Sequence, residues 1–303
     1  LTGAAGDPRR AGIDHSLIGV RDLDGARQIW QSLGFTATPR GRHIGWGTAN
    51  YCLMFEQGYV ELLGIVDPAQ FTNNLDKFLA EREGLLGLAF ASADADATAA
   101  RLKAAGLAPD GPKELKRLLE LPAGEVLPAF RLVFLPPADL PDLRGFFCQH
   151  LTPEIVRRPE WLSHPNGARR IAGLTVASDR PAALAPAYAR IFGPDALAVG
   201  QDALEIATAG AKLSFLTPAG LAARYRPIEL PAHRRPWMAA QTVAVADLEA
   251  AADLLRRNGH RPIAGGAGYL IGPEAANGCL IEFVADRDGL ETTEPQRRIG
   301  DSR

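Results

Sequence analysis

Pattern repetition constrains this chain more than any single residue does. A strand, an amphipathic helix stopped by a glycine, and then shorter strands recur four times along it. The first unit opens on Ile13-Asp14-His15-Ser16-Leu17-Ile18-Gly19-Val20. Asp22 caps a helix over 23–33, and Gly34 ends it. Strands are expected at 35–38, 44–55 and 59–65, and a helical run at 74–82 leads onward. The second unit has a strand at 86–91, a helix at 94–105 and strands at 130–135 and 145–151. Between its helix and later strands lies a Pro- and Gly-rich stretch, 109–128, to which the pattern assigns no register. The third unit begins at 171–176, with a helix at 182–191 and strands at 203–208 and 211–216. The fourth runs from a strand at 237–245 through a helix at 248–257 to strands at 268–271 and 278–284.

Four units in 303 residues suit two paired domains, expected at 11–155 and 168–287. The boundary falls where Pro153, Pro159, Pro165, Asn166 and Gly167 cluster. Trp161 and Leu162 in that stretch argue for a connection packed across the interface. Residues 1–10 read as a loose lead-in without a signal-peptide core, and the charged segment from Glu291 as a mobile tail. A net charge of −2 argues against a nucleic-acid binder. No apolar run is long enough to span a membrane. The three cysteines, Cys52, Cys148 and Cys279, share no Cys-x-x-Cys spacing and read as buried hydrophobes in a reducing, cytoplasmic setting.

Two strands carry the chemistry. The first places His15, and the stretch Gly58-Tyr59-Val60-Glu61-Leu62-Leu63-Gly64-Ile65 places Glu61, in otherwise apolar surroundings. An isolated buried carboxylate is costly, so Glu61 needs a metal or a partner such as an arginine. A neutral imidazole ligates a metal through one ring nitrogen; otherwise His15 is a structural histidine. By strict alternation Asp14 faces away from His15. His43, Trp46, Asn50 and Tyr51 lie on or near the third strand. His43 with Arg42 suits orienting an anionic substrate, Asn50 a pocket hydrogen bond, and Trp46 a wall; surface charge, a turn cap and packing are the structural alternatives. The run Phe146-Phe147-Cys148-Gln149-His150 suits a pocket wall, with strand register deciding between Gln149 and His150. Trp161, His164 and Asn166 are candidates for a cover over the first domain.

The repeated unit, the Asp-His opening strand, the Gly-Tyr-Val-Glu-Leu strand and the helix-ending Gly34-Phe35 resemble the vicinal oxygen chelate superfamily, and within it the glyoxalase-like domain group. Gly47-Thr48-Ala49-Asn50, 145–152 and 159–167 carry further parts of that resemblance. It implies an α+β fold of tandem βαβββ units pairing into two cupped mixed-sheet domains. It also implies a divalent metal inside the cup. Its ligands map onto His15, Glu61 and His150, while the opening strand of the second unit offers only Gly87. Such an N/O set suits Zn, Mn, Ni, Co or Fe and leaves coordination positions for substrate. Glu61 or a metal-bound hydroxide is the candidate base. The second domain offers Ala172 and Ala240 or Gln241 at the matching strand positions, and Glu205 and Glu282 without a histidine. It therefore reads as degenerate, which argues against a ring-cleaving dioxygenase. The resulting expectation is a metal-dependent lyase or isomerase acting on a small oxygenated metabolite. A non-catalytic binding or sequestering protein on the same frame is the main alternative, and a metal-free hydrolase or structural dimer a third. A homodimer is one assembly open to the chain.

Overall fold

The structure, a computed structural model, describes residues 11–287. The expectations for the lead-in and for the tail from Glu291 lie outside the described residues. Nine strands form the first sheet: β1 (Ile13–Gly19), β2 (Gly41–His43), β3 (Thr48–Met54), β4 (Tyr59–Ile65), β5 (Gly84–Ala91), β6 (Asp110–Leu121), β7 (Gly124–Val126), β8 (Ala129–Phe134) and β9 (Gly145–His150). Their order is β2-β3-β4-β1-β5-β9-β8-β6-β7, and a further antiparallel pairing of β2 with β6 curls the sheet into a barrel. Within it β1 runs parallel to β4 and antiparallel to β5, and β5 runs parallel to β9. The second sheet contains β10 (Ala168–Ala177), β11 (Leu197–Val199), β12 (Ala203–Thr208), β13 (Ala211–Leu216), β14 (Trp237–Val245), β15 (Ile263–Gly265), β16 (Gly268–Ile271) and β17 (Leu280–Ala285). It repeats the same mixed scheme: β10 is parallel to β13 and antiparallel to β14, which is parallel to β17. The tandem α+β architecture is thus as the sequence pattern implies.

The helices of the first, second and fourth units share one device. Asp22, Asp94 and Asp247 each sit in extended backbone and accept backbone N–H groups from the first turns of α1 (Leu23–Ser32), α3 (Ala95–Ala104) and α8 (Leu248–Arg257). Helix α1 buries Leu23, Ala26 and Trp30, and Gly34 leaves it with φ +87°. Three shorter helices sit beyond the barrel strands, α2 (Leu75–Glu81) before β5, and α4 (Pro153–Val156) and α5 (Pro159–Leu162) in the linker. In the second half α6 (Ala185–Phe192) follows a 3₁₀ turn, and α7 (Pro218–Arg224), which the pattern did not reveal, follows β13.

Three local expectations change. Residues 35–38 are not a strand; Phe35 enters the core and the Thr38 N–H donates to the Cys52 carbonyl (2.8 Å). The strand expected over 44–55 is broken by a turn in which the Trp46 N–H reaches the His43 carbonyl, giving β2 and β3. The stretch 109–128 is the long strand β6 and its hairpin, which supply the closing wall of the barrel.

One buried cluster runs through both halves, with Phe35 stacked on Phe283 (6.1 Å) and Phe90 edge-on to Phe192 (5.2 Å). The linker is pinned to the barrel. The His164 ring accepts the Thr36 N–H (2.9 Å) and donates to the Met54 carbonyl (2.8 Å), and Asn166 donates to the Leu33 carbonyl. Val156 and Trp161 pack against Cys52, Met54 and Tyr59 at one end of the barrel.

Gly58 is the glycine on which the site depends. It leads into β4 at φ +78°, and a Cβ there would sit 2.6 Å from the Asp14 backbone oxygen. Gly58→Ala is expected to lower unfolding free energy by about 1–3 kcal/mol, read from the shift in urea midpoint.

Candidate functional site

The barrel encloses a cavity of about 190 Å³. Strand alternation decides what faces it. On β3, Thr48 and Asn50 line the cavity and Cys52 faces the same way, whereas Tyr51 turns outward to donate its hydroxyl to Asp24 of α1 (2.6 Å). On β1, His15 and Leu17 line it, and on β4, Tyr59, Glu61 and Leu63 do. Regular alternation would send Asp14 away. Instead the β1–β5 register steps from Ile13↔Phe90 to His15↔Ala89, so Asp14 is the extra residue of a β-bulge. The bulge carries its carboxylate alongside the His15 ring, correcting the expectation from simple alternation.

Asp14 Oδ1 accepts two imidazole N–H groups, from His15 Nδ1 at 2.7 Å and from His150 Nε2 at 3.0 Å. In the neutral ring with Nδ1 so engaged, His15 Nε2 would present its lone pair inward, 3.7 Å from Glu61 Oε2. The ring is steadied by stacking on Tyr59 (4.4 Å between centroids). The other carboxylate oxygen, Glu61 Oε1, accepts from Asn50 Nδ2 and lies 3.9 Å from His43 Nε2. His43 Nδ1 is held by the Thr48 hydroxyl at 2.9 Å.

Burial favours the neutral acid at both carboxyls, yet both lie below their ordinary values. At Asp14 the hydrogen bonds from His15 and His150 prevail. At Glu61 the electrostatic pull of His15, His43 and Arg117 and the Asn50 hydrogen bond prevail. Burial also pushes the His43 imidazole down, against the attraction of Glu61. The sign of the pH dependence follows. The carboxylates stabilise the fold above their unfolded values near 4, and that contribution is lost as pH falls from there through the depressed folded values. His43, neutral when folded, starts its own loss as pH drops through about 6.5. The urea midpoint is therefore expected to decline gently between about pH 6.5 and 5 and steeply below about 4, with Asp14→Asn flattening the steep limb.

Of the residues expected at the site, the structure brings His15, Glu61, His43, Trp46, Asn50 and Cys148 to the cavity wall. Tyr51 does not reach it, for the alternation reason above. Gln149 serves α3 instead: its Oε1 accepts the Ala95 N–H (3.0 Å) and its Nε2 donates to the Ala93 carbonyl (3.0 Å). His150 sits behind His15 and joins the site through Asp14, not beside Glu61. The sequence reading missed Arg117, because it lies in the stretch without a register, and Thr48, which carries no metal-binding signature.

The donor set suits a divalent cation on one local observation. The inward lone pair of His15 and an ionised Glu61 face one another, two electron-pair donors with nothing of opposite charge between them. Their 3.7 Å separation is about 0.7 Å wider than the ~3 Å between two N/O ligands that each sit about 2.1 Å from one ion. Each donor also has an outer hydrogen bond: Asp14 on His15, Thr48 on His43 and Asn50 on Glu61. Among the described residues, Asp14, Cys148 and His150 form the one group of three whose ligand atoms all lie within 4.8 Å. That group is less suited. One Asp14 oxygen already serves both imidazoles, and burial holds the Cys148 thiol well above its ordinary value.

The second half has an opening of about 620 Å³ between α7, Trp237 and the 226–235 loop, but no carboxylate–histidine pair like that of the first barrel lines it among the described residues. Leu221 of α7, Tyr225 and Trp237 pack in one buried cluster, with Ile228 and Leu230 against them. Glu282 is buried but fully occupied, by Arg224 (3.0 Å), the Thr242 hydroxyl (2.8 Å) and the Ala267 N–H (3.0 Å). Glu205 pairs with Lys212 near the surface.

A closed cup of paired βαβββ units with an inward His–Glu pair defines a protein of the vicinal oxygen chelate superfamily. Comparison with known proteins agrees: a family model described as a glyoxalase-like domain matches residues 13–192, more than half of the chain. The chain belongs to the glyoxalase-like domain family. No curated protein matches it in sequence. Among solved structures, a hypothetical protein from Staphylococcus aureus aligns with a TM-score of 0.64 at 13% identity, covering 91% of this chain and 99% of that one. A variant of 4-hydroxymandelate synthase from Streptomyces coelicolor aligns with a TM-score of 0.53 at 16% identity, covering 85% and 78%. Both likenesses are of fold. A methylmalonyl-CoA epimerase from Mycobacterium tuberculosis aligns over 48% of this chain and 91% of its own, at 22% identity and a TM-score of 0.38. No helix among the described residues is long and apolar enough to cross a membrane.

Proposed function

We propose that this protein is a metal-dependent isomerase or lyase of the glyoxalase-like type, moving a proton on the carbon beside an oxygenated carbonyl of a small metabolite. The observation that carries this reading is the His15 Nε2–Glu61 Oε2 pair, 3.7 Å apart, facing into a cavity of about 190 Å³. His15 and Glu61 would hold the ion, with His43 3.9 Å from the other Glu61 oxygen, where the sequence expectation was His15, Glu61 and His150. A divalent cation from the Zn, Mn, Ni, Co or Fe group fits these N and O donors. When bound, the ion supplies Lewis-acid stabilisation of charge developing on a substrate oxygen.

The chain's own groups do the rest. Glu61, kept ionised, takes the proton from carbon and returns it or passes it on. Asn50 steers the carboxylate through Oε1. Asp14 fixes His15 in the tautomer protonated at Nδ1, so its Nε2 stays a donor of electrons. Leu17, Leu63 and Phe130 keep the pocket apolar, which sharpens every charge interaction inside it. The test is solvent exchange. Full-length protein with each metal in turn is incubated in D2O with small 2-oxo and 2-hydroxy carbonyl compounds, and deuterium at the adjacent carbon is followed by NMR. Incorporation that disappears in His15→Ala is expected. No incorporation with any metal would leave a sequestering protein as the better reading.

A further inference from the structure

Arg117 is a buried cation in the cavity wall that takes no part in the proposed proton transfer. It sits on β6 opposite His43 of β2 and is only 4% exposed. Its Nη1 donates to the Cys52 sulfur at 3.0 Å, and its guanidinium lies over the Phe130 ring at 5.6 Å. Its Nε is buried without a partner, and among the described residues no carboxylate lies within 4.0 Å of it. The Cys52 sulfur does not neutralise it, because burial pushes that thiol up to about 11. Glu61 is already engaged by Asn50 and flanked by two histidines. The second domain provides the contrast: there a half-buried arginine, Arg224, has its glutamate, Glu282, at 3.0 Å. A buried guanidinium whose Nε has no partner, in the wall of a cavity whose one carboxylate among the described residues is already engaged, is a charge open to a further anion.

We infer that Arg117 reads a carboxylate on the molecule the cavity accepts, so that the ligand is a short monocarboxylic acid bearing neighbouring oxygens. This deepens the proposed function and rests on the same cavity as the binding site. The planar fork of the guanidinium matches a carboxylate's two oxygens. A single buried cation among Leu115, Leu132, Phe130 and Phe134 suits a monoanion better than a phosphate dianion. The cavity's 190 Å³ is small beside the ~300–1,000 Å³ of drug-sized sites, which limits the chain to a few carbons. Arg144, exposed at the mouth and donating to the Asn73 carbonyl, adds positive potential on the approach.

The test is calorimetric titration of the full chain, both as purified and after chelation, with 2-oxobutyrate, with its neutral amide and with inorganic phosphate. The expected result is a preference for the acid over the amide of about tenfold or more. Arg117→Met is expected to weaken acid binding by about 10- to 100-fold and leave amide binding unchanged. Its ligand-free melting temperature is expected to equal or exceed that of the parent, since an unpaired buried charge has been removed. Arg117→Lys, which keeps the charge and loses the fork, is expected to fall between the two. Equal affinity for acid and amide, preference for phosphate, or unchanged acid binding in both variants would overturn the inference. A fall of many degrees in the melting temperature of Arg117→Met, with the acid preference intact in Arg117→Lys, would mark Arg117 as structural and also overturn it. An acid preference in protein that shows no deuterium exchange would sink the proposed activity alone; exchange without acid preference would sink this inference alone.

Discussion

Glu61→Gln is expected to cut proton-transfer turnover by about 10²–10⁴-fold while leaving the far-UV circular dichroism unchanged. The substitution keeps the shape of the side chain and removes the negative charge. Asn50 can re-pair with the new amide, so the barrel wall survives. What disappears is the only carboxylate among the described residues lining the cavity. Deuterium incorporation at saturating substrate reads the loss directly. Glu282→Gln makes the matching change in the second domain, where the carboxylate is held by Arg224, Thr242 and the Ala267 N–H, and is expected to leave turnover at the parent level. Equal losses in the two variants would mean that stability, not chemistry, was being measured.

Asp14→Ala is expected to cost about 3–5 kcal/mol of unfolding free energy. Asp14 is 5% exposed and satisfies two buried imidazoles with a single oxygen. Removing it leaves His15 Nδ1–H and His150 Nε2–H without partners, in a position where water has little access. His150 Nδ1 is already buried without a partner, so that ring has no second anchor of its own. Urea unfolding at pH 7 measures the loss. Asp14→Asn keeps an acceptor oxygen and loses only the charge, so it is expected to fall between Ala and the parent. A cost for Asp14→Ala no larger than for an exposed Asp such as Asp253 would show that the double hydrogen bond does not hold the two rings together.

The fold was legible because its signals are local and repeated. Asp22, Asp94 and Asp247 announce three helices, and glycines such as Gly34 and Gly106 end two of them. The apolar runs of β1, β4 and β14 could hardly be anything but buried strands. Residues 109–128 were opaque for a physical reason: β6 is half exposed along much of its length, so its alternation is diluted, and its pairing with β2 is a long-range event that no short window contains. Arg117 was lost with it. The inward-facing residues His15 and Glu61 were legible because Glu61 stands alone among apolar neighbours in its strand and His15 lies in the strand that opens the first unit. The places of Asp14, His150 and Tyr51 were not. A β-bulge overrides alternation at Asp14, and His150 meets that carboxylate instead of lining the cavity. Tyr51 faces α1 because Asn50 faces inward, and which of two adjacent residues points inward is a matter of register.

Elemental analysis is the most direct measurement of the central claim, that His15 and Glu61 turn toward a common point inside the first barrel and there hold one divalent ion. Full-length protein is prepared without added metal, then dialysed against a limiting mixture of Zn, Mn, Ni, Co and Fe(II), beside His15→Ala and Glu61→Ala. Close to one equivalent of a single metal is expected in the parent, with a loss of at least about tenfold in each variant. A parent that stays metal-free at every concentration, or variants that retain the parent's full complement, would contradict the claim.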